Sequence, residues 1–336
     1  MCNLGRPFRT FTYPKRDMAQ REDDTTEGAR RSERRRMATG FAAALTGAAL
    51  WGFSGACAQV ALSDHGMSPL FITAARSAIA AVALTAFSAF RYRGALCKII
   101  RCRSLRGALI LFGMGLFLSQ ATFAASVGAT NAGTATVLQS LATVFVMGLA
   151  CLKNRRPPRA LEGAGLLFAL ASTWLISTQG DPGSLAIAPE GLIWGIANAL
   201  SVTLYLMAPK GLYDRWPSIP VIACGLCVAA TVAAIALGCA CIASGGALVP
   251  PMDARGWIVL VGGIGLLGTA CAFGLYLFGV AIVGAVRGSL LGTAEPASAM
   301  MLTACWLGTA VTAADWSGLA LMAAMICLVA LSSIRT

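Results

Sequence analysis

Charge is what this sequence has least of. Asp, Glu, Lys and Arg make up 12% of its 336 residues, about half of the roughly 25% that a soluble domain carries. A chain so poor in charge cannot clothe a water-facing surface. Histidine occurs once, at His65, which excludes a histidine-built metal centre, and no cofactor is expected. No GxxxxGKS or GxxxxGKT run is present, so the chain has no P-loop with which to hydrolyse a nucleotide. What it has in abundance is apolar: 57% of residues are hydrophobic and the mean hydropathy is +0.73. The sequence describes an integral membrane protein.

Basic residues outnumber acidic ones 26 to 14, a net charge of +12. In a soluble protein that excess would suggest nucleic acid, but here the positions of the charges exclude it. Ten of the 26 lie in residues 1–36, six between Arg91 and Arg106, and four between Lys153 and Arg159. They mark the edges of apolar runs, which is how membrane topology is set. Most of the cysteines also fall inside apolar runs, where a thiol behaves as a small hydrophobe. Cys224 and Cys227 have CxxC spacing, with nothing nearby to build a redox or zinc site.

A span takes roughly 20 apolar residues across about 30 Å of hydrocarbon. Ten runs qualify: 38–62, 69–90, 107–126, 131–152, 160–179, 190–208, 219–243, 256–280, 286–308 and 317–334. Each must be a helix, because lipid offers backbone groups no other partner. The expected fold is therefore an all-α membrane protein of ten transmembrane helices, multi-pass in the cell (inner) membrane. With a cytoplasmic N-terminus, the inside segments hold 24 of the 26 basic residues; Arg255 lies outside and Arg76 within a span. That asymmetry puts both termini in the cytoplasm. Residues 1–37 read as a basic, disordered cytoplasmic tail or as sequence ahead of a true start at Met37. A signal peptide fits less well, since the first apolar run is long and nine more follow.

The two halves echo each other. "LWGFSGA" (50–56) and "IWGIANA" (193–199) share a Trp-Gly pair. "LQSLATVFVMGLACL" (138–152) runs parallel to "GTAEPASAMMLTACWL" (292–307), and "EGAGLLFALASTWLI" (162–176) to "DWSGLALMAAMICLV" (315–329). The repeats are 38–179 and 190–334, with five spans each. Five is odd, so the second repeat enters the membrane inverted. Inverted repeats with a midplane site between them are a mark of secondary transporters.

In this order across ten spans, these features resemble the drug/metabolite transporter superfamily, EamA type. They include the Trp51-Gly52 opening, Arg76 in "FITAARSAIAA", "NAGTATVLQSLATVF", the basic turn before "EGAGLLFA", and "AEPASAMMLTACWLG" ahead of "DWSGLALM". The resemblance implies two five-helix bundles around a central cavity and secondary transport of small metabolites, often amino acids or their relatives. Two features depart from it. Ala142 stands where members commonly have a proline, and Asn154 and Thr309 stand where an acidic residue often follows the fourth and ninth spans.

The chemistry-bearing residues are few. Glu295 lies near the middle of the ninth span, where a charge costs about 2.5–3.5 kcal/mol on insertion scales, so it must face a cavity or be neutral. Pro296 cannot donate a backbone hydrogen bond and kinks the helix, freeing the Gly292 carbonyl. Together they make either a wet spot suited to proton coupling or a neutral carboxyl tying two helices. Arg76 sits roughly 10 Å deep in the second span by helical rise, and its fork suits a substrate carboxylate or helix-end carbonyls. Trp194, Asn198, Ser201 and Tyr205 recur at i, i+4, i+7 and i+11, one face of the sixth span. They line a cavity or simply pack. Trp51 holds the repeat position of Trp194, and Gln139 heads a weaker polar face in the fourth span. Glu162 and Glu190 fall at helix starts, where the positive end of the dipole favours a carboxylate.

The function expected is a secondary transporter of small polar metabolites, amino acids or related carboxylates and amines. It is read as an exporter working by alternating access, not an enzyme, with a small-molecule substrate and the lipid bilayer as partners. A channel or lipid-translocating protein on the same helices is the alternative. An intramembrane enzyme would need a nucleophile with a base, a carboxylate pair or a metal cluster, and Glu295 is the only deeply placed acid. Monomer and homodimer both fit, since the GxxxG pairs Gly191/Gly195 and Gly288/Gly292 suit packing within or between chains.

Overall fold

The computed structural model describes residues 15–153, 155, 157–181, 187–245, 252–283, 288, 291–292 and 294–334. Local chemistry marks most turns between helices. The first described helix is α1 (Lys15–Ser63). Ser68 caps α2 (Pro69–Arg91) by accepting from the Phe71 amide, with Pro69 in the first turn. α3 (Ala95–Arg101) is a short helix between α2 and α4 (Arg106–Ala129). Asn131 caps α5 (Ala132–Gln139), which is followed by α6 (Ala142–Lys153) and α7 (Ala160–Thr178). α8 (Pro189–Met207), the single turn α9 (Lys210–Tyr213) and α10 (Ser218–Ala243) come next. Asp253 caps α11 (Ala254–Trp257), which continues through a π-helical stretch, Ile258–Cys271, into α12 (Ala272–Val283). α13 (Ala294–Cys305) and α14 (Ala313–Ile334) complete the described helices.

Among the described residues, seven helical segments are long and apolar enough to cross a membrane: Arg30–Ser63, Pro69–Arg91, Arg103–Ala129, Ala132–Lys153, Pro189–Tyr213, Ser218–Ala243 and Ala254–Val283. Ala160–Ile176 and Ala313–Leu328 are apolar but shorter. No strand occurs among the described residues. The molecule is an all-helical membrane protein. Residues 15–36, expected as disordered tail, continue α1 as helix; their run of Ala, Glu and Arg favours helix and contains no proline. Residues 1–14 and most of 284–293, which include the start of the expected ninth span, lie outside the described residues.

The helices pair in a regular way. α1 packs on α12, α13 and the π stretch, while α8 packs on α4, α5 and α6. α2 lies against α10 and the π stretch, α4 against α10, α7 against α14, and α5 against α13. One apolar core joins α2, α4 and α10 around Phe112, Leu116, Ile222 and Leu226. Another joins α5, α7, α8, α13 and α14 around Leu138, Ile176, Met300 and Met322. In lipid such cores hold by close packing rather than by escape from water.

Two of these crossings depend on glycine. A Cβ on Gly52 would lie 2.5 Å from the Glu295 carbonyl oxygen and 2.7 Å from the Ala299 amide. A Cβ on Gly195 would lie 2.5 Å from Leu138 Cδ1. Both conserve room for a helix to cross at the Trp-Gly pair that the two halves share. Away from the basic loops, polar side chains knit the opposite end. Gln59 accepts from the Ala132 amide (2.9 Å) and donates to Thr309 Oγ1 (3.2 Å). Gln179 donates to Asp315 (2.8 Å), and His65 lies 3.5 Å from Asp253.

Candidate functional site

The segment Ala132–Lys153 is interrupted in mid-course, and the interruption meets the first turn of α13. Between α5 and α6 the ladder tightens. The Leu141 amide donates to Leu138 (3.1 Å) and the Thr143 amide to Ser140 (3.1 Å), the three-residue spacing of a 3₁₀ turn. Thr136 and Ser140 hydroxyls bond back to carbonyls of the preceding turn, which competes with the helical ladder. At the start of α13 the Glu295 amide donates to the Gly292 carbonyl (3.1 Å), so the carbonyl expected to be freed by Pro296 has a partner; Pro296 itself lies buried in the first turn of α13. The interruption and this helix start are joined directly: Gln139 Nε2 donates to Glu295 Oε1 at 2.9 Å.

Beside this link lies a small cavity of about 80 Å³, part of it open to the exterior. Small-molecule sites run from roughly 300 to 1,000 Å³, so this one must widen to admit a metabolite. Trp51, Phe123, Tyr205 and Phe273 supply aromatic walls; Gln120 and Gln139 supply amides. Arg76 and Glu295 supply the two opposite charges. The Arg76 guanidinium is 8% exposed and donates from Nε (3.3 Å) and Nη2 (3.1 Å) to Thr269 Oγ1. Thr269 in turn donates to the Ile264 carbonyl at 2.8 Å, five residues back along the π stretch. Arg76 and Glu295 form no ion pair with each other within 4.0 Å. Ser54 Oγ, on the cavity wall, is buried and has no hydrogen-bond partner.

The chain belongs to the EamA-like transporter family. That family matches it twice, over residues 38–178 and again over 189–331. It is 32% identical over 301 residues to an uncharacterized inner membrane transporter, YicL, of Salmonella typhimurium, covering 87% of this chain and 95% of the relative. A solved crystal structure of another protein shares its fold at a TM-score of 0.59 and 20% identity, over 89% of this chain and 99% of that one. The protein is a multi-pass transporter of the inner membrane.

Of the residues singled out in the sequence, Trp51, Arg76, Gln139, Tyr205 and Glu295 border this cavity. Trp194, Asn198 and Ser201 do not. Trp194 is 37% exposed and donates to Glu190 (3.2 Å). Asn198 is buried against α4, donating to the Ser119 carbonyl (2.6 Å). Ser201 bonds back to its own helix at Ala197 (2.7 Å). Helical period alone put all four on one face. The face spirals from lipid across α4 to the cavity, so Tyr205 is the α8 residue that reaches it among the described ones. Glu162 accepts from the Arg159 amide at the start of α7 (2.7 Å), as a capping carboxylate does.

Sequence reasoning missed Thr269, Phe273, Ser119 and Gln120. A signal existed for the last two, adjacent polar residues inside the apolar third span. Nothing in sequence marks Thr269, which reaches Arg76 from the π-helical stretch, or Phe273, which reaches the cavity from the start of α12. Tyr276 was missed as well; its ring packs 4.8 Å from Trp51 and its hydroxyl donates to the Gly288 carbonyl at 3.0 Å.

Proposed function

We propose that the protein is a proton-coupled secondary transporter, an exporter of small polar metabolites whose preferred substrates carry a carboxylate and an ammonium together. Arg76 receives the carboxylate and Glu295 the ammonium. The observation that carries this reading is the pair of opposite charges on one cavity with no ion pair between them. Each charge, taken from water, demands an opposite partner, and a zwitterion supplies both. The bonds to Thr269 and Gln139 hold the two groups in place while each keeps donors or acceptors for a ligand. Ser54 adds an unused hydroxyl. The aromatic walls suit the apolar part of the substrate.

The scaffold in this reading is ten spans in two inverted five-span repeats, 38–179 and 190–334, with both termini cytoplasmic. Two observations support it. The family matches the chain in two successive segments of similar length. Exchanging the first five spans with the last five also maps the helix contacts onto themselves: α1 with α12 and α13 becomes α8 with α4 and α5–α6, while α2–α10, α7–α14 and α5–α13 are unchanged. Alternating access then means rocking one half against the other about the Gln139–Glu295 crossing. Glu295 carries the proton, exchanging it for the ammonium at the same oxygen.

The test is pH-dependent exchange of zwitterionic amino acids in proteoliposomes with Glu295→Gln. The variant should fold and lose the pH dependence; if flux keeps it, Glu295 is not the coupling site. Trans-stimulation of labelled exchange separates a carrier from the alternative, a channel or lipid-translocating protein, which would show none.

A further inference from the structure

Six cationic side chains, Arg91, Arg93, Lys98, Arg101, Arg103 and Arg106, lie within sixteen residues that contain no acid. All six are exposed. Topology alone would need charges on a loop, but this segment is folded. It is α3 followed by a 3₁₀ turn at Arg103–Leu105, and its apolar side is built into the protein. Ile99 is 2% exposed and, with Leu96 and Leu105, packs into the core shared by α2, α4 and α10. The outward side is not purely polar. Ile100 is 58% exposed between Lys98 and Arg101, and Phe90 is 82% exposed at the foot of α2. The Arg91 guanidinium lies over the Tyr92 ring at 5.6 Å. The basic surface also extends to the other half of the chain, since Leu105 touches the site of Gly211 and Arg215 lies near Cys102.

We propose that this corner is a binding site for anionic phospholipid. Exposed cations beside exposed aliphatic and aromatic side chains at a membrane edge fit a molecule with a phosphate head and acyl tails. A polyanion such as nucleic acid offers no tail for Ile100 and Phe90, and free phosphate leaves them in water. Basic clusters on an amphipathic helix beside a span recruit such lipids by charge and by burial of the apolar face. The seat of the lipid matters because α3 follows α2, which carries Arg76, and packs on α10 of the other half. A headgroup held across Lys98, Arg101, Arg103 and Arg215 braces the two halves at the basic end. This inference is independent of the substrate reading.

The experiment is native mass spectrometry of the full chain, purified in neutral detergent and titrated with dioleoyl phosphatidylglycerol or dioleoyl phosphatidylcholine. The protein should retain phosphatidylglycerol over phosphatidylcholine by about tenfold or more, and added salt should erode that preference. The variant Lys98→Gln/Arg101→Gln/Arg103→Gln should lose the preference. Arg30→Gln/Arg31→Gln/Arg34→Gln, which removes equal charge from α1, should keep it, and Lys98→Arg should be silent. Equal retention of both lipids overturns the proposal. So does loss of preference in the α1 variant with retention in the α3 variant, and so does displacement by inorganic phosphate, which would make the site one for free anion. If the α3 variant does not fold, Ile100→Asn, which touches no charge, takes its place and should weaken phosphatidylglycerol retention; unchanged retention overturns the proposal.

Discussion

The two helix ends that meet at Gln139 and Glu295 are made by different chemistry. α13 carries Pro296 in its first turn, where a missing N–H costs little, beside Glu295. Between α5 and α6 there is neither proline nor acid. There the hydroxyls of Thr136 and Ser140 and four three-residue hydrogen bonds, from the amides of Ser140, Leu141, Thr143 and Val144, undo the helix. One end carries the carboxylate and the other carries Gln139, the neutral donor that holds it. Two helix ends can thus meet at one point without matching side chains. The asymmetry leaves a single carboxylate on the cavity, among the described residues.

The comparison can be broken most severely at the glycines. Gly52→Ala puts a Cβ against backbone atoms of α13 that cannot yield, and should cost about 3 kcal/mol, the top of the usual overpacking range. Gly195→Ala meets the side chain of Leu138, 2.5 Å away at Cδ1 and 2.9 Å at Cβ, and should cost about half that, because a leucine can partly move. Thermal unfolding in detergent orders the two, and equal costs would mean that the two crossings are equally tight.

Between the two glycines in size, and on binding rather than stability, is Arg76→Gln. It leaves Glu295 without its opposite across the cavity and should weaken zwitterion binding by roughly 2 kcal/mol, about 30-fold, as read by calorimetry. Thr269→Val removes the acceptor that holds the guanidinium and should cost about 1–2 kcal/mol of stability, with Thr269→Ser restoring it. The smallest effect is expected from Ala142→Pro, which gives the start of α6 the residue that α13 already has in its first turn. Among the described residues the Ala142 amide donates to no carbonyl outside its own helix. The change should therefore move the unfolding midpoint by less than about 1 kcal/mol. A large loss there would show that the hydroxyl-made break needs its own backbone path.

The seven long apolar helices among the described residues were legible because lipid enforces long apolar runs and basic edges, a signal that survives without any tertiary knowledge. Glu295, Arg76 and Gln139 were legible for the same reason, as polar groups where polar groups are costly. The break at Gln139–Leu141 was not, because hydroxyl back-bonding needs no breaker residue and leaves an ordinary apolar pattern. Trp194 and Asn198 share a helical face with Tyr205 and yet end elsewhere, since periodicity gives the face and not what the face meets. The π stretch is invisible to a 3.6-residue period, and with it the route by which Thr269 reaches Arg76.

The most direct measurement is a thermal-stability panel on the wild-type protein. It compares zwitterionic amino acids, aliphatic and aromatic, with the matching amines that lack the carboxylate and the matching acids that lack the amine. With Arg76 and Glu295 acting as a two-point receptor, at least one zwitterion raises the unfolding temperature and neither of its one-charge relatives does. Stabilisation by the amine or the acid alone to the same degree, or by no zwitterion at all, contradicts a cavity built around the two charges.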